Sequence, residues 1–326
     1  MRILFNTYPV AFFYPGGGEI QLLKTKEGIE KKGIEVKLFN TWKPQLKKVD
    51  LVHYFSIMGD SVNFCSYVKK IGLPLVISPI IWLGRDKETY PLAGMKALFD
   101  LCDLILPNSV MELEKFSRFF KIPKEKFFVV RNGVDPSFSS RIPENLFREK
   151  FGIKNEFLLN VANIERRKNQ LSLIRAIKKM GLDLILFGNI RDESYFNKCM
   201  SEGKGFIKYL GYINHDSDTL KSAYRACKLF VLPSLLETPG LAALEAAAAG
   251  AKIVITEIGS TKEYFGNMAT YVDPYDINDI HKTILRALRN KKNQGLSKYI
   301  IENFNWEKTG EQTIEAYQLV LDKHKK

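Results

Sequence analysis

Two glutamates, Glu237 and Glu245, are separated by seven residues within a stretch that changes character twice. Residues 229–232 form a continuous apolar run, residues 233–240 carry two prolines and a glycine, and residues 241–250 are almost all small. The pattern reads as a buried strand, a tight loop and a helix. A carboxylate on an alanine-rich helix must be paired or used, because burying an unpaired charge is costly. Carboxylates only accept hydrogen bonds, which suits the hydroxyls of a sugar or a ribose. Pro239 and Gly240 open the helix, so the N–H groups of Gly240, Leu241 and Ala242 have no partner within it. Such N–H groups, at the positive end of the helix dipole, can hold an anion, and Gly240 lets a ligand approach the backbone. A packed helix with Glu245 at its edge accounts for the same pattern, so the motif alone leaves both open.

The elements that must position these residues alternate. In the first half, strands are expected over 2–6, 35–40, 51–55, 75–78, 104–107 and 127–131. Helices are expected over 19–32 and 111–120, with Gly16 to Gly18 in the loop before the first. Residues 132–135 (Asn-Gly-Val-Asp) break this rhythm, and Pro136 and Pro143 punctuate the stretch after them. Alternation then restarts, with strands over 157–161, 182–187, 206–210, 229–232, 252–256 and 270–272. Helices fall over 170–179, 194–203, 218–225, the alanine-rich stretch and 277–289. Strands alternating with helices imply parallel, doubly wound sheets, here two in tandem, as 326 residues allow.

Composition excludes several classes. The longest charge-free apolar stretch, 73–84, holds two prolines and falls short of the roughly 20 residues a membrane helix needs. The N-terminal residues run straight into a strand without a secretory pattern. Cys65, Cys102, Cys199 and Cys227 are scattered, as expected of reduced core thiols in the cytoplasm rather than zinc ligands or disulfides. The net charge of +13 is spread over both halves with no polybasic block. It is compatible with weak contact with an anionic membrane face, and equally with a lysine-rich proteome. No nucleic-acid-binding motif accompanies it, so no nucleic-acid partner is expected.

The spaced glutamates, Val231 to Ser234 before them, the 132–135 turn, Gly16 to Gly18, Gly211 with Tyr212 and Ile213, and Phe304 to Trp306 together resemble glycosyltransferase family 4. They occur in the family's order across nearly the whole chain. The resemblance implies an α/β protein of GT-B fold, two Rossmann-like doubly wound domains facing across a cleft. Residues 1–140 would form the acceptor domain, with a C-terminal helix, 306–326, packing back on it. Residues 141–305 would form the nucleotide-sugar donor domain. It further implies a retaining hexosyltransferase that needs no metal or other cofactor. The donor is a nucleotide diphosphate sugar, and the acceptor a glycan or lipid-linked sugar. The location is cytoplasmic, extending to the inner face of the membrane.

By position, Glu245 would bind the donor ribose and Glu237 the transferred sugar near its reacting centre. The N–H groups of Gly240 and Leu241 would meet the sugar or diphosphate. Lys168 matches the family lysine that neutralises the diphosphate. Asn163 stands where the family usually has arginine, leaving Arg167 or Arg166 to compensate. Gly17 and Gly18 would approach the phosphates, and Tyr212 and Ile213 the base. Many members carry a histidine after the strand matching 75–78, but residues 78–86 have none. His53, expected at the C-terminal end of its strand, is the remaining N-terminal candidate. A core histidine is the competing assignment for it. These departures keep two other functions in view: a GT-B sugar phosphorylase and a catalytically silent nucleotide-sugar-binding partner in glycan assembly.

Overall fold

The structure, a computed structural model, describes residues 1–325 apart from 14, 59, 60, 82 and 85–88. Of the segment without the family histidine, Trp82, Arg85 and Asp86 thus lie outside the described residues. The chain divides into two compact units. One comprises Met1–Gly133 with Trp306–Lys326, the other Val134–Asn305.

In the first unit the elements are β1 (Arg2–Thr7), α1 (Gly17–Glu30), β2 (Glu35–Leu38), β3 (Leu51–Phe55), α2 (Ser61–Lys70), β4 (Leu75–Ser78), α3 (Leu92–Leu101), β5 (Leu104–Ile105) and α4 (Val110–Phe120). The strands form a parallel sheet in the order β2-β1-β3-β4-β5. Every residue of β3 and β4 is buried, because helices cover both faces of such a sheet and leave no side for polar residues. Alternate residues feed two cores: Leu4, Val52, Tyr54, Leu75 and Ile77 on one face, Ile3, Phe5, Leu51, Phe55 and Val76 on the other.

The expected strand at 127–131 is only a single bridge between Phe127 and Ile105. The N–H groups of Phe128 and Val130 donate to Ile105 O and Pro107 O (2.9 and 3.0 Å). Pro107 has no N–H to return, so the ladder stops. The loop expected at Gly16 to Gly18 is also tighter than the sequence suggests. Gly17 and Gly18 already belong to α1, and the Glu19 carboxylate accepts from the Gly16 N–H at 2.7 Å.

The second unit contains, in chain order, α5 (Asn145–Phe151), β6 (Phe157–Val161), α6 (Gln170–Ile177), β7 (Asp183–Phe187), α7 (Glu193–Glu202), β8 (Ile207–Tyr209), α8 (Asp218–Ala226), β9 (Leu229–Leu232), α9 (Leu241–Ala248), β10 (Ile253–Thr256), α10 (Thr261–Phe265), β11 (Thr270–Val272), α11 (Ile277–Arg289) and α12 (Leu296–Asn303). Its parallel sheet runs β11-β10-β9-β6-β7-β8. The chain works outward from β6 through β7 and β8, then returns to β9 on the other side of β6. This reversal makes a topological switch point between β6 and β9, where doubly wound sheets bind ligands at the carboxyl ends of their strands. The Asn160 side-chain amide stitches the two strands, donating to Val231 O at 2.7 Å. The last helix, α13 (Trp306–His324), belongs to the first unit, where it packs on α1.

Candidate active site

The loops after β6 and β9 are tied to each other by the Asn169 side chain and by one backbone bond. Residues 166–168 form one turn of 3-10 helix, and Asn169 follows in the left-handed region at φ 60°. The Asn169 amide donates to Pro233 O (3.0 Å) and Pro274 O (2.7 Å), and the Leu235 N–H donates to Arg167 O (2.9 Å). These bonds bring Lys168 to Glu237, with Nζ and Oε1 2.5 Å apart. Glu237 is buried at 2% exposure, and Lys168, at 13%, is mostly shielded from bulk water.

Glu237 is held by its own backbone. Its N–H donates to Ile258 O, and its carbonyl accepts from the Ser260 N–H. Gly259, at φ 112°, makes this possible, since a Cβ there would lie 2.0 Å from Glu237 O. Burial, the largest influence, pushes the Glu237 carboxyl up. Lys168 and Arg167 outweigh it and hold the carboxyl below its usual range. Burial, the largest influence, lowers the Lys168 ammonium; attraction to Glu237 exceeds the repulsion from Arg167 but does not reverse the shift. The site is thus a compact group of charges in a dry setting, where each is felt strongly.

Gly240 caps α9 at φ 89°, a conformation that favours glycine. Beyond it the N–H groups of Gly240, Leu241 and Ala242 precede the first intrahelical bond, Ala243 N–H to Gly240 O. They therefore leave an open helix N-terminus beside Glu237, an arrangement that can hold an anion. Glu245, on the same helix, is buried, and one of its oxygens accepts from the Tyr224 hydroxyl at 2.9 Å.

The other candidates fall in different places. Arg166 is 72% exposed, pairs with Asp192 (3.0 Å) and lies over the Tyr195 ring. It faces the start of α7 rather than Lys168, so of the two expected substitutes only Arg167 acts on the Lys168–Glu237 pair. Arg167 also pairs with Glu165 (2.7 Å). Asn163, with its amide oxygen turned to Arg191, accepts from that guanidinium's Nε and Nη2 at 3.0 and 3.1 Å. Sequence reasoning missed Arg191, Glu165 and Tyr224. An arginine soon after β7 was visible, but not that β7 lies beside β6. Tyr212 and Ile213 follow β8, Tyr212 60% exposed and Ile213 packed on the core.

His53 corrects an expectation. It is the third of five residues in β3, not its end, and is 1% exposed. Its Nδ1 lies 2.6 Å from the Tyr317 hydroxyl and its Nε2 2.9 Å from Ser78 Oγ. Burial drives its pKa down to about 3. With both nitrogens bonded and the ring stacked on Phe55, it is a core histidine with nothing left for a substrate. Gly17 and Gly18 lie in the same unit at the start of α1. A Cβ on Gly18 would meet Ile80 Cγ2 at 2.8 Å, so that glycine is explained by packing. All four cysteines are buried and outside any disulfide. Among the described residues no group of three or more His, Cys, Asp or Glu side chains could hold a metal ion.

A family model described as glycosyl transferases group 1 matches residues 142–305, half of the chain. The chain belongs to this family. Among curated members, the O-antigen chain mannosyltransferase B of Escherichia coli is 27% identical over 254 residues, 72% of this chain and 66% of that protein. A serotype-specific mannosyltransferase, WbdA, of the same organism is 27% identical over 248 residues, 69% of this chain and 30% of that one. The chain therefore spans less than two thirds of these relatives' length. Sucrose-phosphate synthase from Thermosynechococcus elongatus superposes with a TM-score of 0.84 at 17% identity over 99% of both chains. Anabaena HepE, solved in complex with UDP and glucose, gives 0.80 at 18% identity, over 98% of this chain and 100% of that one. These likenesses show the fold of this family member, which is GT-B.

Proposed function

We propose that the chain is a retaining glycosyltransferase that moves a hexose from a nucleotide diphosphate sugar to a sugar hydroxyl of a glycan or lipid-linked acceptor. The observation that carries this reading is the Lys168–Glu237 pair beside the open helix end at Gly240, at the switch point of the β6–β9 sheet. That arrangement offers cations and N–H donors to a diphosphate, and a carboxylate to sugar hydroxyls, within one loop cluster. The mannosyltransferases among the relatives make mannose the first hexose to test.

In the reaction the bond between the anomeric carbon and the diphosphate oxygen breaks, and negative charge builds on the leaving group. Lys168, Arg167 and the N–H groups of Gly240 and Leu241 stabilise that charge, so no metal is required. The acceptor hydroxyl adds to the anomeric carbon from the face the diphosphate leaves. Its proton passes to the departing phosphate oxygen, so no protein base is needed where the family histidine is missing. Glu237 hydrogen-bonds the transferred sugar and keeps Lys168 oriented. Glu245 accepts from the ribose hydroxyls, steadied by Tyr224, while Tyr212 and Ile213 border the base. No described helix is long and apolar enough to cross a membrane.

The test is turnover of GDP-mannose and UDP-glucose by purified protein, with the anomeric configuration of the product read by NMR. Lys168→Ala and Glu245→Ala should each lower turnover by about 100-fold or more while the protein stays folded. Full activity in both variants overturns the residue assignment. Sugar release that depends on inorganic phosphate and on no nucleotide would replace the transferase by a phosphorylase.

A further inference from the structure

We infer that Arg191, seated on Asn163, is a further diphosphate cation of this site beside Lys168 and Arg167, and that the pair does by contact what a single cationic side chain at position 163 would do alone. The inference rests on the proposed transferase function and names a binding residue within it.

A nucleotide diphosphate carries more negative charge than Lys168 and Arg167 can balance, since each is already paired with a glutamate. A further cation must come from a loop at the same sheet edge. Arg166 is turned toward Asp192 and α7. Arg167 acts electrostatically on the Lys168–Glu237 pair and has its guanidinium on Glu165. Arg191 is different in origin and in setting. It follows β7, the neighbour of β6, and the two chains stay paired past their strand ends through the Ile164–Ile190 bridge and the Arg191 N–H to Ile164 O (3.1 Å).

That pairing puts the Arg191 guanidinium against the residue 163 side chain, where two of its N–H groups meet the Asn163 oxygen. The amide holds the guanidinium and leaves its charge intact. A cation at 163 would have repelled it. The third edge, Nη1, approaches Glu165 Oε2 at 3.7 Å, which is an ion-pair distance and too long for a hydrogen bond. The side chain is 34% exposed, so a phosphate oxygen can reach it. Glu165 then has a definite role. Arg167 on one oxygen and Arg191 on the other flank it, so it keeps two guanidinium groups close despite their repulsion. Arginine suits this task because its planar fork can bind Asn163 and a phosphate along different edges.

The experiment measures binding of UDP, GDP and the corresponding monophosphates to wild type, Arg191→Gln, Arg191→Lys and the double variant Asn163→Arg/Arg191→Gln by titration calorimetry. Arg191→Gln should weaken the diphosphates by about 10- to 100-fold, the range of one charge-assisted hydrogen bond, with a much smaller effect on monophosphates. Arg191→Lys should recover part of the loss. The double variant should recover most of it, because the charge is restored from position 163, a result that a merely structural role for Arg191 would not produce. Diphosphate binding by Arg191→Gln as tight as wild type, or equal weakening of mono- and diphosphates without recovery in the double variant, overturns the inference while leaving the transferase standing. Absence of binding of either diphosphate by the wild type overturns both.

Discussion

Lys168 and Glu237 stabilise each other only as a pair. Glu237→Ala leaves a buried ammonium without its partner, which should cost about 3 kcal/mol, less whatever Lys168 regains by losing its proton. Replacing both by apolar residues should cost less than Glu237→Ala alone. Urea unfolding of the single and double variants measures the difference. His53 makes a separate prediction. Its pKa falls from 6.5 to about 3 on folding, so the unfolded chain binds a proton there that the native chain rejects. Its contribution is complete above pH 6.5 and is lost progressively toward pH 3, at up to about 1.4 kcal/mol per pH unit. Thermal midpoints of His53→Gln should therefore depend less steeply on pH than wild type in that window. An unchanged slope would mean that the ring accepts a proton in place.

At the scale of elements, α1 and α13 meet backbone to backbone. A Cβ on Gly28 would lie 2.3 Å from Trp306 O, and one on Gly310 would lie 2.6 Å from the Gly28 carbonyl carbon. Gly28→Val must push the helices apart and should cost about 1–3 kcal/mol. Hydrogen exchange should then rise across residues 306–324 with little change in the other unit. Most elements were legible beforehand where the pattern was strong: a fully buried run such as β3 or β9, or a helix with a cap such as α8. The helices α2, α3, α5, α10 and α12 were not identified; α5 and α10, at seven and five residues, give little periodicity to count. The 127–131 segment misled for another reason. Its residues favour extended backbone and adopt it, but a ladder also needs a donor on the neighbouring strand, and Pro107 lacks one.

For the whole molecule, the decisive fact is that the first unit is made from both ends of the chain. Its cores combine Ile3, Leu22 and Ile29 with Ala316, Tyr317 and Val320, and Tyr317 also supplies the hydroxyl bonded to His53. The second unit has its own two cores. Truncation after Asn305 should therefore strip protection from the first unit and spare the second. The second should still be stabilised by a nucleoside diphosphate, by about 2.7 kcal/mol at a concentration 100-fold above its dissociation constant. Exchange mass spectrometry with and without UDP or GDP reads both halves at once. Equal loss of protection in both units would show that they fold as one.

What the sequence determined by itself was local: strand and helix positions, the turn at 132–135, the open helix end at Gly240 and the spacing of Glu237 and Glu245. Each depends on residues close in the chain, so periodicity, caps and glycine placement suffice to read it. The tertiary structure decided which side chains meet. Lys168 and Glu237 are 69 positions apart and come together because β6 and β9 are neighbours in the sheet. Arg191 reaches Asn163 because β7 flanks β6. His53 is silent because Tyr317, 264 positions away, returns to cover it. Strand order and helix packing arise from burial of the whole chain, and no local pattern encodes them.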